Sequence, residues 1–226
     1  MKDMDSLLAQ VLAFRPNRLV PPFDLQGHIP FVAWLVKELQ PATFVQLGTQ
    51  SGNLYFAACQ TVAENSLPTR CWAVGTWQAE ELAQRHSVQQ EPGASDYNRQ
   101  HFGAFSGLLR MGDAQALPRF APGSIDLLLI DGRYSPETVR NEYESWRNRL
   151  SDHAVVLLVG IEQADSGAAT LWQQLQPQYP HLAFAHAQGL GVLAVGRNVP
   201  KAFQQALQAC ATPEARNQLA GVADML

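Results

Sequence analysis

The chain has 226 residues, a formal net charge of -4 and a pI near 5.8, with 46% apolar and 16% charged residues. That balance describes a globular domain with a core large enough to fold, not a disordered or fibrous chain. It shows no basic stripe that would favour nucleic acid and no apolar run near the ~18 residues of a membrane span.

The N-terminal MKDMDSLLAQ is amphipathic and acidic, unlike a secretory leader. The spacing of Leu7, Leu8, Val11 and Leu12 predicts a helix over 3–14. Pro16, Pro21 and Pro22 then impose an extended connector. HIPFVAWLVKEL, 28–39, reads as an apolar helix with Pro30 in its first turn, ended by Pro41. A first strand, Thr43–Leu47, runs into Gly48-Thr49-Gln50-Ser51-Gly52 and a helix over 53–64. A second strand, Cys71–Gly75, leads to a helix over 78–86 and a polar loop, SVQQEPGASD. Strands Gly107–Met111 and Ser124–Ile130 follow, ending in Gly112-Asp113-Ala114 and Asp131-Gly132. Val139, Tyr143 and Trp146 mark the buried face of the next helix. A strand over His153–Val159, a helix over 167–177 and a hairpin of Leu182–His186 with Gly191–Val195 complete the pattern. After Pro200 the chain predicts helices over 201–210 and 213–222.

Strands alternating with helices predict an α/β, Rossmann-like, seven-stranded and mostly parallel sheet, with helices on both faces and a C-terminal β-hairpin. The expected organisation is an N-terminal helix and connector (1–24), the nucleotide-binding domain (25–197) and a helical extension (198–226). Cys59, Cys71 and Cys210 have no short metal spacing and read as reduced thiols of a cytoplasmic protein.

In an open parallel sheet, ligands bind beyond the C-terminal strand ends. The glycines of LGTQSGN let backbone approach a ligand at a helix N-terminus, and their G-x-x-x-G spacing leans away from NAD. Gly75 stands where a ribose-gripping carboxylate is expected, leaving Thr76 and Trp77, whose ring could cover an adenosine. Asp113 is either an adenine acceptor or an N-cap. Asp131, at the mouth of the cleft, could bind an amino group, a metal or the substrate; Asp126 is read as structural. Glu162 and Asp165, after the fifth strand, read as solvated charges at a helix start.

These segments together resemble the class I S-adenosylmethionine (SAM)-dependent methyltransferases often found beside or fused to glycosyltransferases. The resemblance runs from HIPFVAWLVKEL through FVQLGTQSGNLYFAACQTV, LPTRCWAVGTW, FGAFSGLLRMGDAQAL and GSIDLLLIDGRYSPETVRNEYESW to GLGVLAVG, about 25–197. It implies a SAM site formed by Gln46, Gly48, Thr49, Gln50, Ser51, Gly52, Gly75, Thr76, Trp77, Asp113 and Asp131, with no metal. Departures fall on the chemistry. Gln46 replaces the family's Glu, Gly75 an Asp, Tyr134 a His, Glu142 an Asp, and Val159-Gly160 a His-Asp pair.

Two readings follow. In the first, the protein transfers a methyl group to a hydroxyl of a glycan or small molecule, with Asp131 and Tyr134 as catalytic groups and His86 or His101 as other candidate bases. In the second, the domain has lost catalysis and serves as a binding or assembly module, as a homodimer or beside a glycosyltransferase. A nicotinamide-dependent oxidoreductase is the third and weakest fit.

Overall fold

The computed structural model describes residues 9–11, 13–76, 93–132, 134–210, 212 and 214–215. Helices α1 (Ile29–Leu39), α2 (Asn53–Glu64), α3 (Ala94–His101), α4 (Asp113–Ala116), α5 (Pro136–Arg147), α6 (Gly167–Leu175) and α7 (Lys201–Ala209) surround one sheet. Its strands are β1 (Thr43–Leu47), β2 (Arg70–Gly75), β3 (Ser106–Arg110), β4 (Ile125–Asp131), β5 (Leu150–Val159), β6 (His181–Phe184) and β7 (Leu190–Ala194). The order is β3-β2-β1-β4-β5-β7-β6. The first five pair in parallel, and β7 runs antiparallel to both neighbours. The predicted seven-stranded α/β sheet with its terminal hairpin is therefore present.

Parallel strands covered on both faces read as unbroken apolar runs, and the core shows why. On β4, Leu127 and Leu129 face α1 and α2, while Leu128 and Ile130 face α5 and α6. Val139, Tyr143 and Trp146 are buried at the predicted helical spacing. Asp126 is structural, as expected: its carboxylate accepts from the N–H groups of Ala42 (2.8 Å) and Thr43 (3.3 Å) and from the Ser151 hydroxyl (2.6 Å). The three cysteines are free and buried. Val11, Phe203, Ala206 and Cys210, from outside 25–197, belong to the core on the α1–α2 side. Among the described residues, no helix is long and apolar enough to cross a membrane.

Six strand predictions shift: β2 gains Arg70, β7 moves one residue to Leu190–Ala194, and four others change their ends. β3 begins at Ser106 and ends before Met111, because Ser106 is engaged by the Asn98 side chain. β4 takes in Asp131, paired with Val159, in place of Ser124. β5 starts three residues early, at Leu150, where it pairs with Ile125. β6 stops at Phe184, since His186 turns towards His28. The end of the predicted polar loop is the start of α3. The predicted helix over 78–86 lies outside the described residues, as do most of those over 3–14 and 213–222.

Candidate functional site at the strand ends

β1 and β4 are parallel neighbours, with Leu47 opposite Ile130, so the Gly48 turn and Asp131 emerge side by side. Gly48 and Gly52 adopt φ of +73° and +76°. The turn is anchored by Gly48 N–H on Val74 O (3.0 Å) and Gly52 N–H on Thr49 O (2.8 Å). A Cβ at Gly48 would lie 2.9 Å from Asp131 Cβ and 3.6 Å from Tyr134 Cε2. Glycine is thus required for both its backbone and its space. Asp131 and Tyr134 flank the same point.

Gln46, Gly48, Thr49 and Asp131 line a cavity of about 10 Å3, together with Asp24 and Leu25 of the connector. That is room for one water-sized group. Gln46 is 4% exposed and Asp131 2%. The Gln46 Oε1 has no hydrogen-bond partner among the described residues. An orphaned buried acceptor costs about 1–3 kcal/mol, so this oxygen awaits a donor.

The connector is strapped over the turn. Arg18 Nη1 donates to Ser51 O (2.8 Å), and its guanidinium lies 4.9 Å from the centre of the Phe56 ring. Asn53 accepts from Val20 N–H (3.1 Å) and donates to Val20 O (2.7 Å).

The other predicted residues are spread along the sheet edge. Gly75 ends β2 half-buried and Thr76 is exposed; Trp77 lies outside the described residues, as does His86. Asp113 does not cap a helix. It is the first residue of α4, whose preceding Gly112 N–H is taken by Gln115 Oε1 (3.4 Å). Its carboxyl hydrogen-bonds Glu142 of α5. His101 packs on the Tyr97 ring (4.5 Å between centroids), just ahead of β3 and so away from the strand C-termini.

A methyltransferase-domain family model matches residues 45–158, from β1 through β5, and so takes in the turn, Asp113, Asp131 and Glu142. The chain belongs to that family. An uncharacterized protein of Sinorhizobium fredii is 36% identical over 197 residues, which is 86% of this chain and 22% of that protein; the chain thus spans about a fifth of this relative's length. A methyltransferase of Geobacter sulfurreducens has the same fold at 14% identity (TM-score 0.56, covering 84% of this chain and 86% of that one). So does an S-adenosylhomocysteine (SAH)-bound methyltransferase of Podospora anserina at 12% identity (TM-score 0.56, 85% and 87%). An O-methyltransferase of Streptomyces achromogenes involved in tomaymycin synthesis, solved with SAM, matches at 13% identity (TM-score 0.53, 87% and 90%).

Within this methyltransferase domain, the Asp113–Glu142 pair is the feature that sequence reading missed. Burial, then the hydrogen bond that it donates to Asp113, then the charges of Asp113 and Asp131 push the Glu142 carboxyl up to about 8. Burial also raises Asp113. The two carboxyls therefore share a proton near neutral pH. A raised carboxyl contributes stability that is full below its ordinary value and is lost as pH rises through about 8. Thermal melts of the wild type should fall from pH 5.5 to 8.5. Glu142→Gln keeps a donor for Asp113 and should remove that slope. At pH 8.5 it should be the more stable by about 1 kcal/mol, since Glu142 is partly exposed and screened. Parallel melting curves would refute the shared proton.

Beside Tyr134 the domain opens into a cavity of about 500 Å3, walled by Ser135, Gln163, Ala164, Asp165 and Ser166 from the loops after β4 and β5. Glu162 and Asp165 are exposed, as predicted, and Asp165 faces this cavity. Tyr134 is 48% exposed at its edge.

Proposed function

We propose that the domain is an active SAM-dependent methyltransferase that transfers a methyl group to a hydroxyl of a small molecule or glycan. The observation that carries this reading is the paired Gln46 oxygen and Asp131 carboxylate around a buried cavity of ammonium size. The unpartnered Gln46 oxygen beside a carboxylate fits the amino group of the cofactor's methionine portion. The left-handed Gly48 turn fits close passage of the ligand over bare backbone. Gly75 leaves the ribose without its usual carboxylate, so adenosine recognition falls to Thr76, Trp77 and the Asp113–Glu142 pair.

The sulfonium of the cofactor supplies the methyl group and its leaving group. The chain's own residues position and desolvate the reactants. Asp131 holds the cofactor's amino group from the β4 end. Tyr134 is the aromatic edge against which the acceptor rests, with the amide of Gln163 and the hydroxyl of Ser135 across the open cavity. Asp131 lines the small cavity and not the open one, so it orients the cofactor towards the acceptor, whose hydroxyl proton passes to water in the open cavity.

The test is transfer from methyl-labelled SAM to a panel of polyols, sugars, phenols, amines and thiols. Tyr134→Ala should raise the acceptor KM about tenfold or more and leave the SAM KM within twofold. Label transferred to amines or thiols alone would refute the hydroxyl assignment.

A further inference from the structure

The turn between β6 and β7 holds Ala187, Gln188 and Gly189 in succession at φ of +45°, +69° and +87°. Residues with a Cβ seldom adopt that conformation, and it persists only where surrounding contacts enforce it. Here they do. Glu162 N–H donates to Gln188 O (3.1 Å) and Gly160 N–H to Gly189 O (2.9 Å), fixing the turn to the end of β5. His28 Nε2 donates to Ala187 O (3.0 Å) and His186 Nε2 to Gly27 O (3.1 Å), a reciprocal pair with ring centroids 4.5 Å apart. Burial, and next the neighbouring His186, depress His28 to about 3, so His28 stays neutral at ordinary pH.

The constrained backbone aims the Gln188 side chain between the two cavities. Its Nε2 donates to Asp24 Oδ2 (2.9 Å), and its Oε1 accepts from Gln163 Nε2 (2.8 Å). Asp24 lines the small cavity with Gln46 and Asp131. Gln163 walls the open cavity beside Tyr134. One amide therefore bridges a residue of the cofactor side and a residue of the acceptor side, across chain separations of 164 and 25 residues.

We propose that Gln188 is a positioning residue: it clasps the Asp24 strap over the cofactor's amino-acid cavity and ties that strap, through Gln163, to the acceptor cavity. The identity of the two ligands rests on the methyltransferase reading; the clasp does not.

Hydrogen exchange of the full chain without ligand reads the clasp alone. Gln188→Leu should speed amide exchange across residues 24–28 about tenfold and leave β5 unchanged. Gln188→Glu sets two carboxylates against each other and should act the same way. In Asp24→Asn/Gln188→Glu the amide and carboxylate change places, and both hydrogen bonds can re-form. Exchange there should return to within about twofold of wild type, a rescue that a packing role would not produce. SAH release should quicken about tenfold in Gln188→Leu and recover in the double variant. Wild-type exchange at 24–28 in Gln188→Leu, absence of rescue, or faster exchange with unchanged SAH release would each overturn the proposal. A wild-type protein that binds no SAH would instead overturn the methyltransferase reading, while the exchange data still decide the clasp.

Discussion

Asp131→Asn is expected to weaken SAH binding by about 10- to 150-fold while the protein keeps its fold. The substitution preserves shape at the end of β4 and removes the buried charge that faces the Gly48 turn. A hydrogen bond to a charged group is worth about 1.5–3 kcal/mol, which sets the range. Gln46 cannot compensate, because its oxygen is neutral. Titration calorimetry of both proteins measures the difference, and circular dichroism confirms the fold. Equal affinities would mean that Asp131 does not meet the cofactor.

Gly48→Ala is expected to lower both stability and SAH affinity. An L-residue at φ +73° pays about 1–2 kcal/mol for the left-handed backbone. The new methyl group would also sit 2.9 Å from Asp131 Cβ, closer than real Cβ contacts come, and must displace the carboxylate. Gly123→Ala separates these effects. Its φ is +69°, but a Cβ there has nothing within 4 Å. Gly123→Ala should therefore cost only the backbone amount, about 2–8 °C in melting temperature. Gly48→Ala should cost more and also reduce SAH affinity at least tenfold, by moving Asp131. Equal melting temperatures for the two variants, with SAH affinity retained, would show that Asp131 and the turn are not in contact.

The architecture was legible because its signals are local and apolar. FVQL, LLLI and VVLLV are buried on both faces, and β-strands buried that way need no alternation to be recognised. Gly48 and Asp131 stood out as candidates because strand ends collect ligands in such sheets, and the fold sets these two against one another. What stayed hidden depends on polar contacts between distant segments. Helix α3 buries only Ala94 and Asn98, and it docks on β3 through Asn98 Nδ2 to Ser106 O (3.2 Å). No hydrophobic period marks such a helix, so its start read as loop. Asp113 and Glu142 lie on different helices, and only the packing of α4 against α5 makes them partners. Asp24 looked like connector composition. Its place over the site follows from Arg18, Asn53 and Gln188, none of which forms a motif with it.

The departures from the family pattern have a physical reading in this light. Gln46 keeps an acceptor where the family carries a carboxylate, and Asp131 keeps the charge. Both line one cavity, so under the proposed reading the change at Gly75 bears on ribose recognition and not on the amino group.

The most direct test of the central claim is calorimetric titration of the purified chain with SAH, paired with thermal melts. A ligand at 100 times its dissociation constant stabilises the native state by about 2.7 kcal/mol. For a domain of this size that is a shift of roughly 5–11 °C. The wild type should show a shift of that size with saturable one-to-one heat, and Asp131→Asn should lose it at the same ligand concentration. Absence of heat and of any shift at millimolar SAH would contradict the claim, leaving the domain as a non-catalytic binding module built on a methyltransferase fold.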